Sequence, residues 1–176
     1  MKIIGFYHIC MVNNWQEIVK DQIKRTINSG LYNKSEIIYI GCLGTLSNFR
    51  LLKSQLPSKY KIAFHSNKIK LFEIPTLNLI KKMADRDNFY AWYIHTKGVT
   101  SVEKVGPRIK ESRKFLEHFI IDRHADCIKS LTNYDCCGIG WQCSEISRLA
   151  SCKNYCYFCG NFWWTKSEFI KKLHYI

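Results

Sequence analysis

Apolar positions along the chain alternate between two rhythms. Ile3, Ile4, Phe6 and Ile9 make a dense run, the mark of a buried strand over residues 2–9. Trp15, Ile18, Val19, Ile23 and Ile27 then recur at helical spacing, and Asn28-Ser29-Gly30 offers residues that tolerate a helix C-cap. The pair of signals repeats. Residues 36–41 read as a short buried strand, and a helix near 46–55 stops before Pro57. Residues 60–64 read as a third strand. Ile74, Leu77, Ile80 and Met83 mark a third helix, with Pro75 allowed in its first turn. Residues 89–95, rich in aromatic side chains, read as a fourth strand. A loop is expected over 98–107. A long helix over 108–131 follows, its stripe made by Ile109, Leu116, Phe119, Ile120, Cys127, Ile128 and Leu131. Residues 134–141 predict a fifth strand, 142–154 an irregular segment, 155–164 extended chain and 166–173 a short closing helix.

Four strand–helix alternations imply βαβ units. The expected fold is therefore α/β, a mostly parallel sheet flanked by helices, in one domain over 1–176. Ligands on such open sheets bind beyond the carboxyl ends of the strands. That rule singles out Tyr7-His8, Gly41-Cys42, His65-Ser66 and His95-Thr96-Lys97-Gly98. No GxGxxG fingerprint follows the first strand, and no Walker A loop occurs.

Composition narrows the class. Apolar residues make up 47% and charged residues 23%, a globular balance rather than a disordered one. The apolar runs fall far short of the ~20 residues that cross a bilayer, and no long hydrophobic signal core opens the sequence. A soluble, cytoplasmic protein with no membrane span is expected. The net charge of +13 favours anionic partners, among them nucleic acid and phosphorylated small molecules. The lysines are spread over many elements, however, which is the pattern of a solvated basic surface. No nucleic-acid-binding motif appears, so nucleic acid is disfavoured as a partner.

Nine cysteines are many for a cytosolic chain of this length. Cys10, Cys42 and Cys127 lie in apolar surroundings and are expected to be buried. Cys136, Cys137, Cys143, Cys152, Cys156 and Cys159 crowd into 136–159. Without a signal peptide they are not read as a disulfide framework. Cys156 and Cys159 form a C-x-x-C that Cys143 and Cys152 would complete as a tetrahedral zinc site. A second paired C-x-x-C is missing, so structural zinc is disfavoured.

Two segments carry candidate chemistry. In Tyr93-Ile94-His95-Thr96-Lys97-Gly98, Lys97 offers a compact cation, His95 a titratable donor, Thr96 a hydroxyl, and Gly98 a close backbone approach. Together they suit a diphosphate; an ordinary polar strand end is the competing reading. In Gly160-Asn161-Phe162-Trp163-Trp164, the strand pleat sends Trp163 and Trp164 to opposite faces. One ring is then free to line a cleft beside Asn161, a fitting platform for a sugar. Trp163 is the preferred cleft residue because it shares a face with Asn161. The competing reading places both rings in the core.

YIHTKG followed by GNFWWTKSEFIKKL resembles a group of small GT-A-type glycosyltransferases of large DNA viruses and bacteria. The opening MKIIGFYHICMVNNWQEIV, LYNKSEIIYIG, TLNLIKKMA and YDCCGIGW resemble the same group, in one order over nearly the whole chain. The resemblance implies a GT-A-like fold and transfer of a sugar from a nucleoside-diphosphate sugar to a glycan or protein acceptor, in a host cytoplasm if the protein is viral. It places the donor over Tyr7 and His8 and its diphosphate by His95, Thr96, Lys97, Gly98 and Arg113. The acceptor falls near Asn161 and Trp163 or Trp164. An inverting enzyme needs a base, for which Asp135 and Glu145 are candidates. Many such enzymes hold manganese or magnesium with Asp-x-Asp. Asp85-Arg86-Asp87 has that form but precedes the fourth strand, and the resemblance puts His95-Thr96-Lys97 where the acidic motif usually lies. No cofactor is therefore assigned, although a divalent metal stays open. The chain departs from the group's pattern at two places. Ser112-Arg113 stands where the group has Trp-Arg, and Tyr157 where a histidine is common. Those departures keep a non-catalytic sugar- or nucleotide-binding relative as one alternative; a basic nucleic-acid-binding domain is the other.

Overall fold

The computed structural model describes residues 1–100, 102–144 and 155–176. A six-stranded sheet runs through it, its strands lying side by side in the order Tyr60–Ser66, Ile37–Leu43, Lys2–Cys10, Phe89–His95, Trp163–Lys166 and Cys136–Gly138. Strand β1 (Lys2–Cys10) is central and buried over nearly its whole length, as its unbroken apolar run requires. It pairs in parallel with β2 (Ile37–Leu43) on one side and β4 (Phe89–His95) on the other, and β3 (Tyr60–Ser66) pairs in parallel with β2. The α/β class and mostly parallel sheet expected from the alternation are what the chain forms.

The connecting helices divide between two faces. Helix α1 (Trp15–Asn28) packs Trp15, Ile18 and Val19 on the face that carries Tyr7, Ile9, Trp92 and Ile94. A single turn, α2 (Leu31–Lys34), follows it. The side chain of Thr45 caps α3 (Leu46–Gln55) by accepting from the Asn48 amide, 3.2 Å. Helix α4 (Ile74–Ala84) starts with Pro75 in its first turn and covers the opposite face, on Ile4, Phe6, Phe89, Ala91 and Tyr93. The chain thus reverses direction across the sheet between β1 and β4. That reversal leaves a crevice beyond their carboxyl ends.

The second half departs from its sequence pattern in three ways. Helix α5 (Val102–Glu117) begins six residues before the predicted start and runs through Gly106-Pro107. The long helix is then broken by a π-helical turn, His118–Asp122, before α6 (His124–Ser130). The predicted fifth strand is split into β5 (Cys136–Gly138) and β6 (Trp141–Ser144), and β6 forms a separate two-stranded ribbon with β7 (Tyr155–Phe158). The extended segment breaks at Cys159–Asn161, where Gly160 (φ +73°) and Asn161 (φ +53°) are left-handed. The chain then enters β8 (Trp163–Lys166) and ends in a short helix, α7 (Ser167–Ile170).

Strand β8 is antiparallel to both of its neighbours and sits between β4 and β5. Its register sets Trp164 opposite Trp92 and Trp163 opposite Tyr93. Trp164 is wholly buried, and its Nε1 donates to the Ile120 carbonyl of the π-helical turn, 2.9 Å. Its ring therefore ties the sheet to the broken helix. Trp164→Ala should cost about 3–5 kcal/mol of stability. Urea midpoints check this, and a loss under about 1 kcal/mol would contradict the packing described.

Candidate active site at the carboxyl end of the sheet

The carboxyl ends of β1 and β4 lie side by side, with His8 opposite His95. Both side chains project to the α4 face. There Glu73, the N-cap residue of α4, sits between them and the turn before β8. One Glu73 oxygen, Oε2, accepts from the Tyr93 hydroxyl (2.5 Å) and from Asn161 Nδ2 (2.6 Å). Its other oxygen, Oε1, lies 3.7 Å from His95 Nδ1. That is too long for a hydrogen bond.

The histidine states follow from their partners. His95 Nε2 is 2.9 Å from the Gly160 carbonyl, which can only accept, so Nε2 carries the proton. Burial lowers the His95 pKa first, against the opposing pulls of Glu73 and the Gly160 carbonyl, and the Lys97 charge lowers it further. The neutral ring then turns a lone pair at Nδ1 toward Glu73 Oε1. Two acceptor atoms face each other across a gap with no proton of their own to share. His8 is more deeply buried, its Nδ1 2.8 Å from the Thr76 hydroxyl. Burial drives its pKa down to about 4, Glu73 acting in the opposite direction and His95 in the same one.

Asn161 joins this cluster to the aromatic platform. Its Oδ1 accepts from Trp163 Nε1 at 2.8 Å, and Trp163 stacks on Tyr93 with ring centroids 5.0 Å apart. Trp163 is part-buried and floors a cleft of about 460 Å³ on the α4 face. Trp164 lies in the opposite core. So Asn161 and Trp163 reach the cleft, whereas Trp164 is excluded from it by the pleat.

Lys97 stands just past β4 with its side chain over Gly160. Among the described residues its ammonium has no hydrogen-bond or ion-pair partner. Thr96 is buried and joins the two loops: its hydroxyl accepts from the Cys10 amide at 2.9 Å. Asn13 Nδ2 donates to the Val99 carbonyl, which pins the loop after β1 to the loop after β4. Gly98 (φ +90°) makes its close approach to α5 and not to open space; a Cβ there would lie 2.1 Å from Ile109 Cγ2.

Three expected site residues have other partners in the fold. Tyr7 is buried in the core on the α1 face, its hydroxyl donating to Gln22 Oε1 at 2.5 Å. Arg113 is almost fully buried and committed to the Lys97 carbonyl (3.3 Å) and to Glu117 (3.4 Å), so it braces the loop that carries Lys97. Asp135 precedes β5 at the amino end of β4. Its carboxylate lies 3.7 Å from Lys166 Nζ, and Lys166 pairs with Tyr90. Five residues of strand, roughly 16 Å, separate that register position from His95, so Asp135 is no base for this site. Glu145 lies outside the described residues.

Metal and cysteine expectations are refined in the same way. Asp85 is ion-paired with Lys81 and hydrogen-bonded to Tyr175, and Asp87 is ion-paired with Lys2. Both are at the amino end of β4, so the Asp-x-Asp residues do not fit a metal on a donor diphosphate. Among the described residues no group of three His, Cys, Asp or Glu side chains is placed to hold a metal ion. Cys156 is disulfide-bonded, which overturns the reading without disulfides and removes its sulfur from the zinc set, while Cys159 is a free thiol. Among the described residues no helix is long and apolar enough to cross a membrane. Glu73 was not visible as a site residue in the sequence. Its sole signal is an acidic residue before a helical Pro75, which reads as an ordinary helix start. No family model and no curated protein matches the chain.

The buried histidines make the fold acid-sensitive in a defined window. A His8 pKa near 4 when folded, against about 6.5 unfolded, means that the unfolded chain binds the proton first. Its contribution is whole above about pH 6.5 and is lost as pH falls toward 4, to a total of about 3 kcal/mol. His95, also lowered, adds in the same direction. Stability should therefore drop between pH 6.5 and 4, and His8→Asn should flatten part of that drop. Urea midpoints at pH 7 and 4.5 on both proteins measure it; parallel pH profiles would contradict the assigned burial.

Proposed function

We propose that this chain is a GT-A-like glycosyltransferase that uses a nucleoside-diphosphate sugar. The observation that carries the reading is the juxtaposition past β4. Lys97, whose ammonium has no hydrogen-bond or ion-pair partner among the described residues, stands close enough for its charge to act on His95, and His95 Nδ1 faces Glu73 Oε1 at 3.7 Å. The mostly parallel sheet, its direction change at β1 and β4, and the YIHTKG and GNFWW segments support the same reading.

Sugar transfer needs two functions from such a site. As the acceptor oxygen bonds to the anomeric carbon, the bond from that carbon to the diphosphate oxygen breaks, and its electron pair leaves with the phosphate. Lys97 stabilises the negative charge that develops there. The acceptor hydroxyl loses its proton to the Glu73–His95 pair, which is anchored on its far sides by Tyr93, Asn161 and the Gly160 carbonyl. The inner atoms are thus held ready for an incoming hydroxyl. Glu73 takes the role of base that the sequence had suggested for Asp135 or Glu145.

Calorimetric titration with uridine, guanosine and cytidine diphosphates should find one that binds. Lys97→Ala should weaken that binding by about 1–3 kcal/mol, the worth of a charge-assisted hydrogen bond. Glu73→Gln should keep the nucleotide affinity and abolish transfer. Equal affinity in a folded Lys97→Ala protein removes Lys97 from the site, and no binding of any diphosphate by the wild type overturns the reading.

A further inference from the structure

Charge is unevenly placed along the chain. Between Glu36 and Glu73 there is no acidic residue, yet six cations: Arg50, Lys53, Lys59, Lys61, Lys68 and Lys70. That stretch builds β2, α3 and β3, and β3 is an outer strand of the sheet. One edge of the fold is therefore basic with no carboxylate of its own. Lys59 belongs to the scaffold, since its Nζ donates to the carbonyls of Tyr32 (3.0 Å), Asn33 (3.1 Å) and Ser35 (2.8 Å). Arg50, Lys68 and Lys70 are exposed, and among the described residues their side chains have no hydrogen-bond or ion-pair partner.

Apolar side chains are exposed at the same corner. After β3 the chain makes a 3-10 turn, Ile69–Leu71, and enters α4 through Phe72 and Glu73. Phe72 is 69% exposed, Ile69 39% and Ile74 37%; Leu46, at the start of α3, is 54% exposed. The loops after β2 and β3 are tied together, because the Gly44 amide donates to the Ser66 carbonyl at 2.9 Å. Leu46 and Arg50 are one turn apart on α3 and share a face. Phe72 also has φ +49° and ψ −142°, a backbone state left mostly to glycine. Its own amide on the Ile69 carbonyl holds it there from one side. The Thr76 and Leu77 amides on the Glu73 carbonyl hold it from the other. A strained backbone that carries a large ring into water is doubly unfavourable for the free chain. A partner that takes up the ring offsets the second cost.

We propose that this corner, formed by the loops after β2 and β3, docks on the surface of an anionic lipid bilayer. Leu46, Ile69, Phe72 and Ile74 enter the interface, and Arg50, Lys68 and Lys70 meet the headgroup phosphates. A nucleic acid would also attract the cations and stack on Phe72, but it has no use for three aliphatic side chains beside them. A bilayer answers both the aliphatic and the cationic half. The docked face is at the carboxyl end of the sheet, since Glu73 follows Phe72 directly. An acceptor carried by the bilayer would then meet the crevice; that consequence rests on the transferase reading, and the docking does not.

Sedimentation with vesicles, without nucleotide and at one fixed salt concentration, tests the proposal. Vesicles of phosphatidylcholine and phosphatidylserine in equal parts should bind the protein roughly tenfold or more tighter than phosphatidylcholine alone. Each cation at such a surface is worth about fivefold, so Lys68→Ala combined with Lys70→Ala should weaken binding about 25-fold. Lys129→Ala combined with Lys172→Ala removes the same charge from α6 and from the chain after α7, and should change binding less than about twofold. Phe72→Gly should weaken binding about tenfold. It should leave the urea midpoint unchanged or raised, because glycine accepts the left-handed backbone. No binding of the mixed vesicles, equal binding of neutral ones, or unchanged affinity in either corner variant would overturn the proposal. An equal loss in the Lys129 and Lys172 variant would overturn it as adsorption by net charge alone. A lower urea midpoint in Phe72→Gly would overturn it because the ring would then serve the core. Displacement of the vesicles by a single-stranded oligonucleotide would assign the corner to nucleic acid instead. Vesicle binding by a protein that binds no nucleoside diphosphate would overturn the transferase reading and leave the docking standing. Diphosphate binding without vesicle binding would do the reverse.

Discussion

The antiparallel seating of β8 against β4 is the constraint on which both core and site depend. It sets Trp164 against Trp92 on one face and Trp163 against Tyr93 on the other. A one-residue slip would exchange the two faces. Trp164 would then lose the Ile120 carbonyl, and Trp163 would leave the cleft. The same register delivers the turn before β8 to the end of β4. There the Gly160 carbonyl fixes the tautomer of His95, and Asn161 fixes the rotamer of Glu73. The site is thus assembled by long-range pairing, from side chains that start far apart in sequence.

That origin explains what the amino-acid pattern revealed. Strands β1 to β4 and helices α1, α3 and α4 were legible because each is a local apolar period bounded by Gly, Pro or capping residues. The opposite fates of Trp163 and Trp164 were legible too, since the pleat alone separates adjacent side chains. The place of β8 in the sheet was not. Antiparallel insertion between two parallel strands is a matter of partner choice, which periodicity does not encode. The early start of α5 was hidden by Gly106-Pro107, where local propensity was overridden by context. Glu73 was hidden because its partners Tyr93 and Asn161 lie 20 and 88 residues away.

A basic chain also had the means to crowd cations around an anionic ligand, yet most cations near the crevice have other tasks. Arg113 and Arg25 converge on Glu117, a nearly buried carboxylate that also accepts from Gln22. Burial raises the Glu117 pKa, and the Gln22 hydrogen bond and the two arginines pull it back. Removing any one partner would leave a buried charge poorly compensated. The network therefore belongs to the scaffold that holds α1, α5 and the loop after β4 together. Lys97 is distinguished by contrast: it is half-buried and, among the described residues, spent on no carboxylate.

The remaining choice is between two ways of relieving the opposed lone pairs at Glu73 Oε1 and His95 Nδ1. Protonating His95 would do so, but burial and the Lys97 charge both work against a second positive charge there. Rotating either side chain away would break the bonds from Tyr93 and Asn161 or the one to Gly160. A neutral donor placed in the gap costs neither. It offers its proton to one acceptor and keeps its oxygen lone pairs for another bond. An alcohol meets that demand, and a carboxylate or phosphate does not, because each would bring a further acceptor against two already in place. The local electrostatics are therefore uneven: an unneutralised positive charge at Lys97, and at Glu73 and His95 two facing acceptors that a neutral donor would satisfy. Under the proposed transferase reading, substitution at an anomeric carbon would draw on both, since the group that departs is negative and the group that arrives is neutral.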